Sequence, residues 1–403
     1  MYREGKGVEE NKEESERWLR MYARHGLFRQ INILADSFSH YKNGVYSPEK
    51  GLKWYTINAE HNNADSKYQI GMMLADSEES EKSVHEAALL FDSAAEDGHL
   101  HSAIRLSNMD ALCIVGEDAR DKAIEALENM AEKGNASAAN SVGQMYANGD
   151  AVNADGEKAV KYLKIAASSS IQPAINKLGK MYAEGTLIEQ DLNEAIRWFE
   201  EGVVVNNLQS ALSIINMYYA GSAEKESLDD ALKGIEDMCT MGNISAMRTL
   251  GNYYLNGIVM EKDSEKAIDW YKTASELGDT NSRHRLGIIY REGKDAEQNL
   301  REALRYFGAA AEQGHVNSIM EIIKMYQAER ADEAHFKTAF RYLEQVASAG
   351  DISAMRNIGT LYLEGKVVSK DTEKAKSWFE KAAGLGDVHS RRKLKSIIES
   401  NNN

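Results

Sequence analysis

The sequence predicts an all-α fold, a right-handed α-solenoid of about ten to eleven helix-turn-helix repeats of 36 residues each. Three observations carry that prediction. The segment ISAMRTLGNYYLNG at 244–257 returns as ISAMRNIGTLYLEG at 352–365, which is 108 residues, or three times 36, further on. With units begun at 64 and every 36 residues up to 352, the seventh residue is always aliphatic (Ile70, Leu106, Val142, Leu178, Ile214, Leu250, Leu286, Ile322, Ile358). The twenty-fourth is always alanine, from Ala87 to Ala375, and the third is always serine or alanine. Columns held at such a period mark stacked supersecondary units, each able to bury its apolar face only against its neighbours.

Taken in order, residues 1–63 read as divergent and incomplete repeats. Tyr2, Gly5, Trp18, Ala23 and Gly26 fall in register, so the chain opens inside a unit. The expectation is a C-terminal portion of a longer protein, with a natural start carrying a degenerate cap as the alternative. In SHYKNGVYSPEKGLKWYTINA the first helix reads about three residues longer than the norm and the loop correspondingly shorter. Residues 64–135 form two divergent repeats, which keep the alanine and aliphatic columns but place Leu74 and Asp110 where later units have tyrosine. Residues 136–387 form seven clear repeats, and 388–403 a basic capping helix with a polar tail.

Within a clear repeat, apolar residues three and four apart, as in Leu250, Tyr253 and Tyr254, predict a first helix. A loop follows, usually opened by glycine. The second helix starts near an acidic or polar cap, as in KDSEKAIDWYKTASELG, and stops at a glycine that can turn left-handed. Asn206 and Ser170 take that last column in two units, serine being the poorer choice. The tyrosines of one column (Tyr146 to Tyr362) and all five tryptophans of another are read as packing between helices. Gly143, Gly179, Gly251, Gly287 and Gly359 cost a helix roughly 1 kcal/mol each, which implies close approach of a neighbouring helix. Ile215 and Ile323 in that column are expected to push the helices apart.

The motifs AANSVGQMYANG, AINKLGKMYAEG and AMRTLGNYYLNG, with second halves such as KAIDWYKTASELG and KAKSWFEKAAGLG, resemble the Sel1-like repeat family, a helical-hairpin relative of the tetratricopeptide repeat. The resemblance is specific over about 136–387 and weaker before it. It implies a non-catalytic protein–protein interaction scaffold of bacterial type. It also implies that first helices line a concave face, where columns two, five, nine and twelve are the binding positions. On this chain those columns supply Asn140, Gln144, Asn176, Lys180 and Asn216, an amide-rich stretch, and then Arg248, Asn252, His284, Arg291, Lys324 and Arg356, a basic one. Amides can bond an extended peptide or sugar hydroxyls, and arginines can clamp a carboxylate. The expected partner is therefore a protein or peptide, with an acidic one suited to the arginines. The alternative is a C-terminal accessory domain of a larger enzyme, such as a bacterial surface-polysaccharide polymerase or glycosyltransferase, where the same surface would aid glycan binding or oligomerisation.

Composition narrows the function classes. A net charge of −15 disfavours nucleic acid and anionic lipid as partners. No apolar run is long enough to span a membrane, and the polar N-terminus is no signal peptide, so the expected location is cytoplasmic. The two cysteines, Cys113 and Cys239, have no metal spacing, and no catalytic motif, cofactor motif or metal motif occurs. His99 and His101 read as a two-histidine metal site or, more plainly, as solvated loop residues. An exposed N-terminal edge would allow homo-oligomers. An enzyme is not expected.

Overall fold

The computed structural model describes residues 32, 35, 36, 48–60, 62–75, 81–107 and 117–401. These contain twenty α-helices and no strand. The chain divides into two compact units, Met1–Leu228 and Asp229–Asn403. The first holds α1 (Pro48–Ala59), α2 (Ala64–Ala75), α3 (Glu81–Glu96), α4 (Leu100–Ser107), α5 (Glu117–Glu132), α6 (Ala136–Asn148), α7 (Gly156–Ala167), α8 (Gln172–Glu184), α9 (Leu192–Val204) and α10 (Leu208–Tyr219). The division falls within α11 (Lys225–Thr240). The second unit continues with α12 (Ile244–Asn256), α13 (Ser264–Glu276), α14 (Thr280–Glu292), α15 (Leu300–Ala311), α16 (Val316–Gln327), α17 (Glu333–Ser348), α18 (Ile352–Glu364), α19 (Thr372–Gly384) and α20 (Val388–Asn401). Each unit is a run of helical hairpins in which consecutive helices pack together, as expected of an α-solenoid. Tyr2, Gly5, Trp18, Ala23, Gly26, Asp110 and Cys113, and the long first helix expected before α1, lie outside the described residues.

The recurring columns are the core. Every alanine of the twenty-fourth column and every aliphatic of the seventh is buried, and the third-column serines and alanines are wholly buried. Small side chains at the third column let the first helix of a repeat lie close to its neighbour, while the seventh fills the space between.

The first-helix glycines have a specific partner. A Cβ on Gly179 would lie 2.5 Å from Phe199 Cε1, and one on Gly287 2.6 Å from Phe307 Cδ1. Gly71, Gly251 and Gly359 meet Phe91, Tyr271 and Phe379 in the same way, and Gly143 meets Leu163. The close approach is thus to the second helix of the same hairpin, twenty residues on. Where the glycine is missing, the facing residue is aliphatic. Ile323 and Leu343 are both fully buried, in one cluster. The backbones of α16 and α17 pack less closely than those of the glycine-bearing hairpins, as the larger Ile323 requires.

The loops come in two forms. In five hairpins the second helix starts at the twenty-first column, and the N–H of its cap residue donates to the column-eleven tyrosine carbonyl. Examples are Asp155 to Tyr146 (3.0 Å) and Asp263 to Tyr254 (2.8 Å). The side chain of the same residue caps the helix, as when Asp263 accepts from Lys266 N–H at 3.0 Å. In α3, α5, α11 and α17 the second helix starts three residues earlier and runs for 16 residues, which shortens the loop.

Repeat ends behave as expected. The terminal glycines from Gly98 to Gly386 have positive φ, and Asn206 (φ 61°) and Ser170 (φ 57°) adopt it in their place. Glu329 (φ 57°) occupies the loop-opening column that is glycine at Gly257 and Gly365. An L-residue there carries a penalty of about 1–2 kcal/mol, partly offset by the freedom a glycine has when unfolded. Glu329→Gly is therefore expected to raise stability by roughly 0.5–1 kcal/mol, seen as a higher urea midpoint. An unchanged or lower midpoint would show that the strain is absent.

Candidate functional site

Columns five and nine stand one turn apart on the same side of each first helix. In the first unit this side carries Asn140 and Gln144 on α6, Asn176 and Lys180 on α8, and Asn216 on α10. Lys180 and Asn216 are exposed; Asn140, Gln144 and Asn176 are half-buried. The side-chain oxygens Asn140 Oδ1 and Asn176 Oδ1 are closed off from solvent and accept no hydrogen bond. A buried carbonyl left without a donor costs about 1–3 kcal/mol, and two successive repeats bear that cost at the same column.

The second unit treats the same columns differently. Arg248 Nη1 donates to Asp279 Oδ1 at 3.3 Å, and Arg356 Nη1 to Asp387 Oδ1 at 3.4 Å. Each aspartate ends the arginine's own repeat and caps the next first helix. Asp279 Oδ2 accepts from Ser282 N–H (2.8 Å) and Oγ–H (2.6 Å), and Asp387 Oδ2 from Ser390 N–H (2.9 Å) and Oγ–H (2.6 Å). The Ser390 hydroxyl, assisted by its N–H and by Arg356, holds the Asp387 carboxyl below the usual carboxylate range against the opposing effect of burial. Arg291 pairs with Glu321 and Glu292, and Lys324 Nζ lies 2.9 Å from Glu321 Oε1. Asn252 is exposed, and its Oδ1 accepts from the Tyr271 hydroxyl at 2.9 Å. Arg248, Arg291, Lys324 and Arg356 are thus each paired with a carboxylate, which balances the positive charge along these helices.

His284 differs again. It is half-buried, its Nδ1 is 2.9 Å from Ser318 Oγ, and its ring lies 4.9 Å from that of His315 and 5.6 Å from that of Phe307. Burial, with the nearby charges of His315, Arg291, Arg285 and Lys324, pushes its pKa down to about 4.

The residue at the thirty-sixth column, which the sequence reading did not single out, is what Arg248, His284 and Arg356 of column five meet. It is the N-cap in Asn135, Asn207, Asn243, Asp279, His315 and Asp351. A polar residue directly after the terminal glycine, three before a serine or alanine, was the available signal. His99 is another such cap. Its Nδ1 accepts from Ser102 N–H at 3.1 Å, and its Nε2 sits 3.2 Å from Asp65 Oδ1. It is therefore a capping residue, and among the described residues no group of three or more His, Cys, Asp or Glu is placed to hold a metal ion.

The family model described as Sel1 repeat matches residues 1–27, 64–99, 136–170, 172–202, 244–279, 280–315 and 352–387, more than half of the chain. The chain belongs to the Sel1 repeat family. Sel1 repeats generally mediate protein–protein interactions, and the proteins that carry them are typically non-catalytic scaffolds. The windows at 100–135, 208–243 and 316–351, which the model passes over, carry Ser107, Ile215 and Ile323 in place of the first-helix glycine.

Among solved structures, c5321, a protective antigen present in uropathogenic Escherichia coli strains and displaying an SLR fold, is 23% identical with a TM-score of 0.47. That match covers 94% of this chain and 82% of that one. A Sel1 repeat protein from Oxalobacter formigenes is 20% identical with a TM-score of 0.45, covering 87% of this chain and 91% of that one. No curated protein matches the chain.

Open clefts recur beside the Sel1 loops. One of about 640 Å³ is lined by Arg120, Asp121, Tyr146, the 149–155 loop and Lys158, and the next repeat forms one of about 600 Å³ from Tyr182, Ile188–Asp191, Glu157 and Val160. The first mixes Arg120 and Lys158 with Asp121 and Asp155, whereas the charged residues of the second, Glu157, Glu189 and Asp191, are all acidic, and no serine, threonine, cysteine or histidine lines either. Cys239 is buried, and burial with the Glu236 charge pushes its thiol up to about 12, so it stays a protonated core residue near neutral pH. Among the described residues no helix is long and apolar enough to cross a membrane.

Proposed function

We propose that this Sel1 repeat chain is a non-catalytic scaffold that holds an extended segment of a protein partner along the first helices α6, α8 and α10. The observation that carries the reading is the row of amide side chains that these helices present at columns five and nine, Asn140, Gln144, Asn176 and Asn216. A peptide main chain supplies N–H groups at regular spacing, and Gln144, Lys180 and Asn216 offer further polar contacts one turn along. The arginines of the second unit support this reading less, since their charges are already matched by Asp279, Glu321 and Asp387.

Selection of a displayed library of extended peptides against the full chain tests it. Selected peptides are expected to lose at least about tenfold in affinity (roughly 1.4 kcal/mol) on Asn140→Ala with Asn176→Ala, while thermal stability holds or rises because two unsatisfied acceptors are gone. Undiminished peptide binding on the double variant would refute the reading. A glycan array run in parallel covers the accessory-domain alternative, since amides also bond sugar hydroxyls. Glycan binding that is lost on the same double variant, with no peptide selected, would replace the peptide reading with that one.

A further inference from the structure

The junction between α14 and α16 departs from its neighbours in one respect. At the equivalent junctions Arg248–Asp279–Ser282 and Arg356–Asp387–Ser390, a cation, an anion and a hydroxyl close the seat of one first helix on the next. Here both charged positions are histidine. His284 Nδ1 and His315 Nδ1 lie 2.9 and 2.8 Å from the same Ser318 Oγ, and His315 Nδ1 also accepts from Ser318 N–H at 3.2 Å. Ser318 is fully buried.

The geometry dictates one proton arrangement. Because Ser318 N–H points at His315 Nδ1, that nitrogen is the bare one, and His315 carries its proton on Nε2. The Ser318 hydroxyl then donates to His315 Nδ1 and accepts from His284 Nδ1–H. A proton added to His315 Nδ1 breaks both of its capping bonds. With His315 so charged, a second proton on His284 places two imidazolium rings about 5 Å apart (centroids 4.9 Å). The surrounding charges do not absorb this. Arg285 and Arg291 on α14 and Lys324 on α16 face His284 and repel a positive ring, and Glu321 is already shared by Arg291 and Lys324. Asp279, the cap of α14, faces His315 and is the one opposing carboxylate.

From this arrangement we propose that the His284–Ser318–His315 junction is an acid-released link, closed when both rings are neutral and opened when they take up protons, so that α16 loses its seat on α14. Burial keeps both rings below the ordinary histidine pKa in the closed state. The opened state titrates near the ordinary value and so binds more protons. The closed state is therefore fully favoured above about pH 6.5, and its advantage shrinks as pH falls from there toward about 4. At the Arg356–Asp387 junction the Ser390 hydroxyl holds the aspartate carboxyl below the usual carboxylate range, so that link is not opened by the same protons.

Amide exchange of the full chain, corrected for intrinsic rates, reads the link directly. Between pH 7.5 and 5.0, residues 316–322 are expected to lose protection by at least about tenfold, relative to residues 352–358 behind the Asp351 cap. His284→Arg with His315→Asp, which installs the neighbouring junction, is expected to abolish that loss. His315→Asn, which installs the cap used at Asn243, is expected to reduce it, and it decides the matter if the double variant does not fold. No loss in the native chain overturns the proposal, as does a loss of equal size in whichever of these variants folds.

Discussion

Gly179→Ile is expected to destabilise the chain by roughly 3 kcal/mol, at the upper end of what overpacking costs. The Cβ alone meets three atoms of the Phe199 ring at 2.5–2.8 Å, and that ring is 1% exposed, so it has nowhere to turn. Any gain in helix propensity, at most about 1 kcal/mol, is outweighed. The native chain shows how the clash is relieved, since Ile323 stands opposite an aliphatic Leu343. Phe199→Leu alone should cost about 1–2 kcal/mol. The double variant should cost less than the sum of the two by at least about 1 kcal/mol. Urea unfolding of the three variants measures this, and strict additivity would show that the glycine and the ring are not a matched pair.

Asp279→Ala is the second large effect, expected at about 2–4 kcal/mol. The loss of an N-cap contributes about 1 kcal/mol, and the stranded Ser282 hydroxyl, fully buried, about 1–3 kcal/mol. The ion pair with Arg248 adds little, because the arginine side chain is a third exposed. Asp351→Ala is the internal comparison. Asp351 caps Ala354 N–H at 2.7 Å and has neither a buried serine nor an arginine to serve. It should cost only about 1 kcal/mol. Equal losses at Asp279 and Asp351 would show that the serine and arginine contribute nothing. Asp387, the twin of Asp279, has its carboxyl held low in the folded chain. Its contribution is present above the ordinary aspartate pKa and is lost as pH falls through the depressed one.

Much of this fold was legible because a repeat writes the same constraint many times. Nine alanines at one column and nine aliphatics at another leave little room for another architecture, and Gly179 or Gly251 in mid-helix already implied a close neighbour. The identity of that neighbour was not legible, because Phe199 and Tyr271 lie on a different helix twenty residues away and only packing joins them. The candidate site was read less well for a related reason. Scanning columns five, nine and twelve found Arg248, Arg291 and Arg356 but not their counter-charges, since Asp279, Glu321 and Asp387 sit in columns that meet them only in the folded chain. Asn140 and Asn176 were legible as amides. That their carbonyls lack donors depends on what surrounds them in space.

The bond from a fifth-column arginine to the cap 31 positions later makes its repeat half of a lock whose other half is the serine of the repeat that follows. Repeats 244–279 and 352–387 carry the same half, and Ser282 and Ser390 answer it identically. As cassettes these two could be exchanged with every junction still closed. The repeat 280–315 could not be moved so freely, for its histidine half would meet an alanine wherever the next repeat begins like 246 or 354. The order of repeats along this chain is thus constrained by a grammar of junctions, separate from the shared spelling of the repeats themselves.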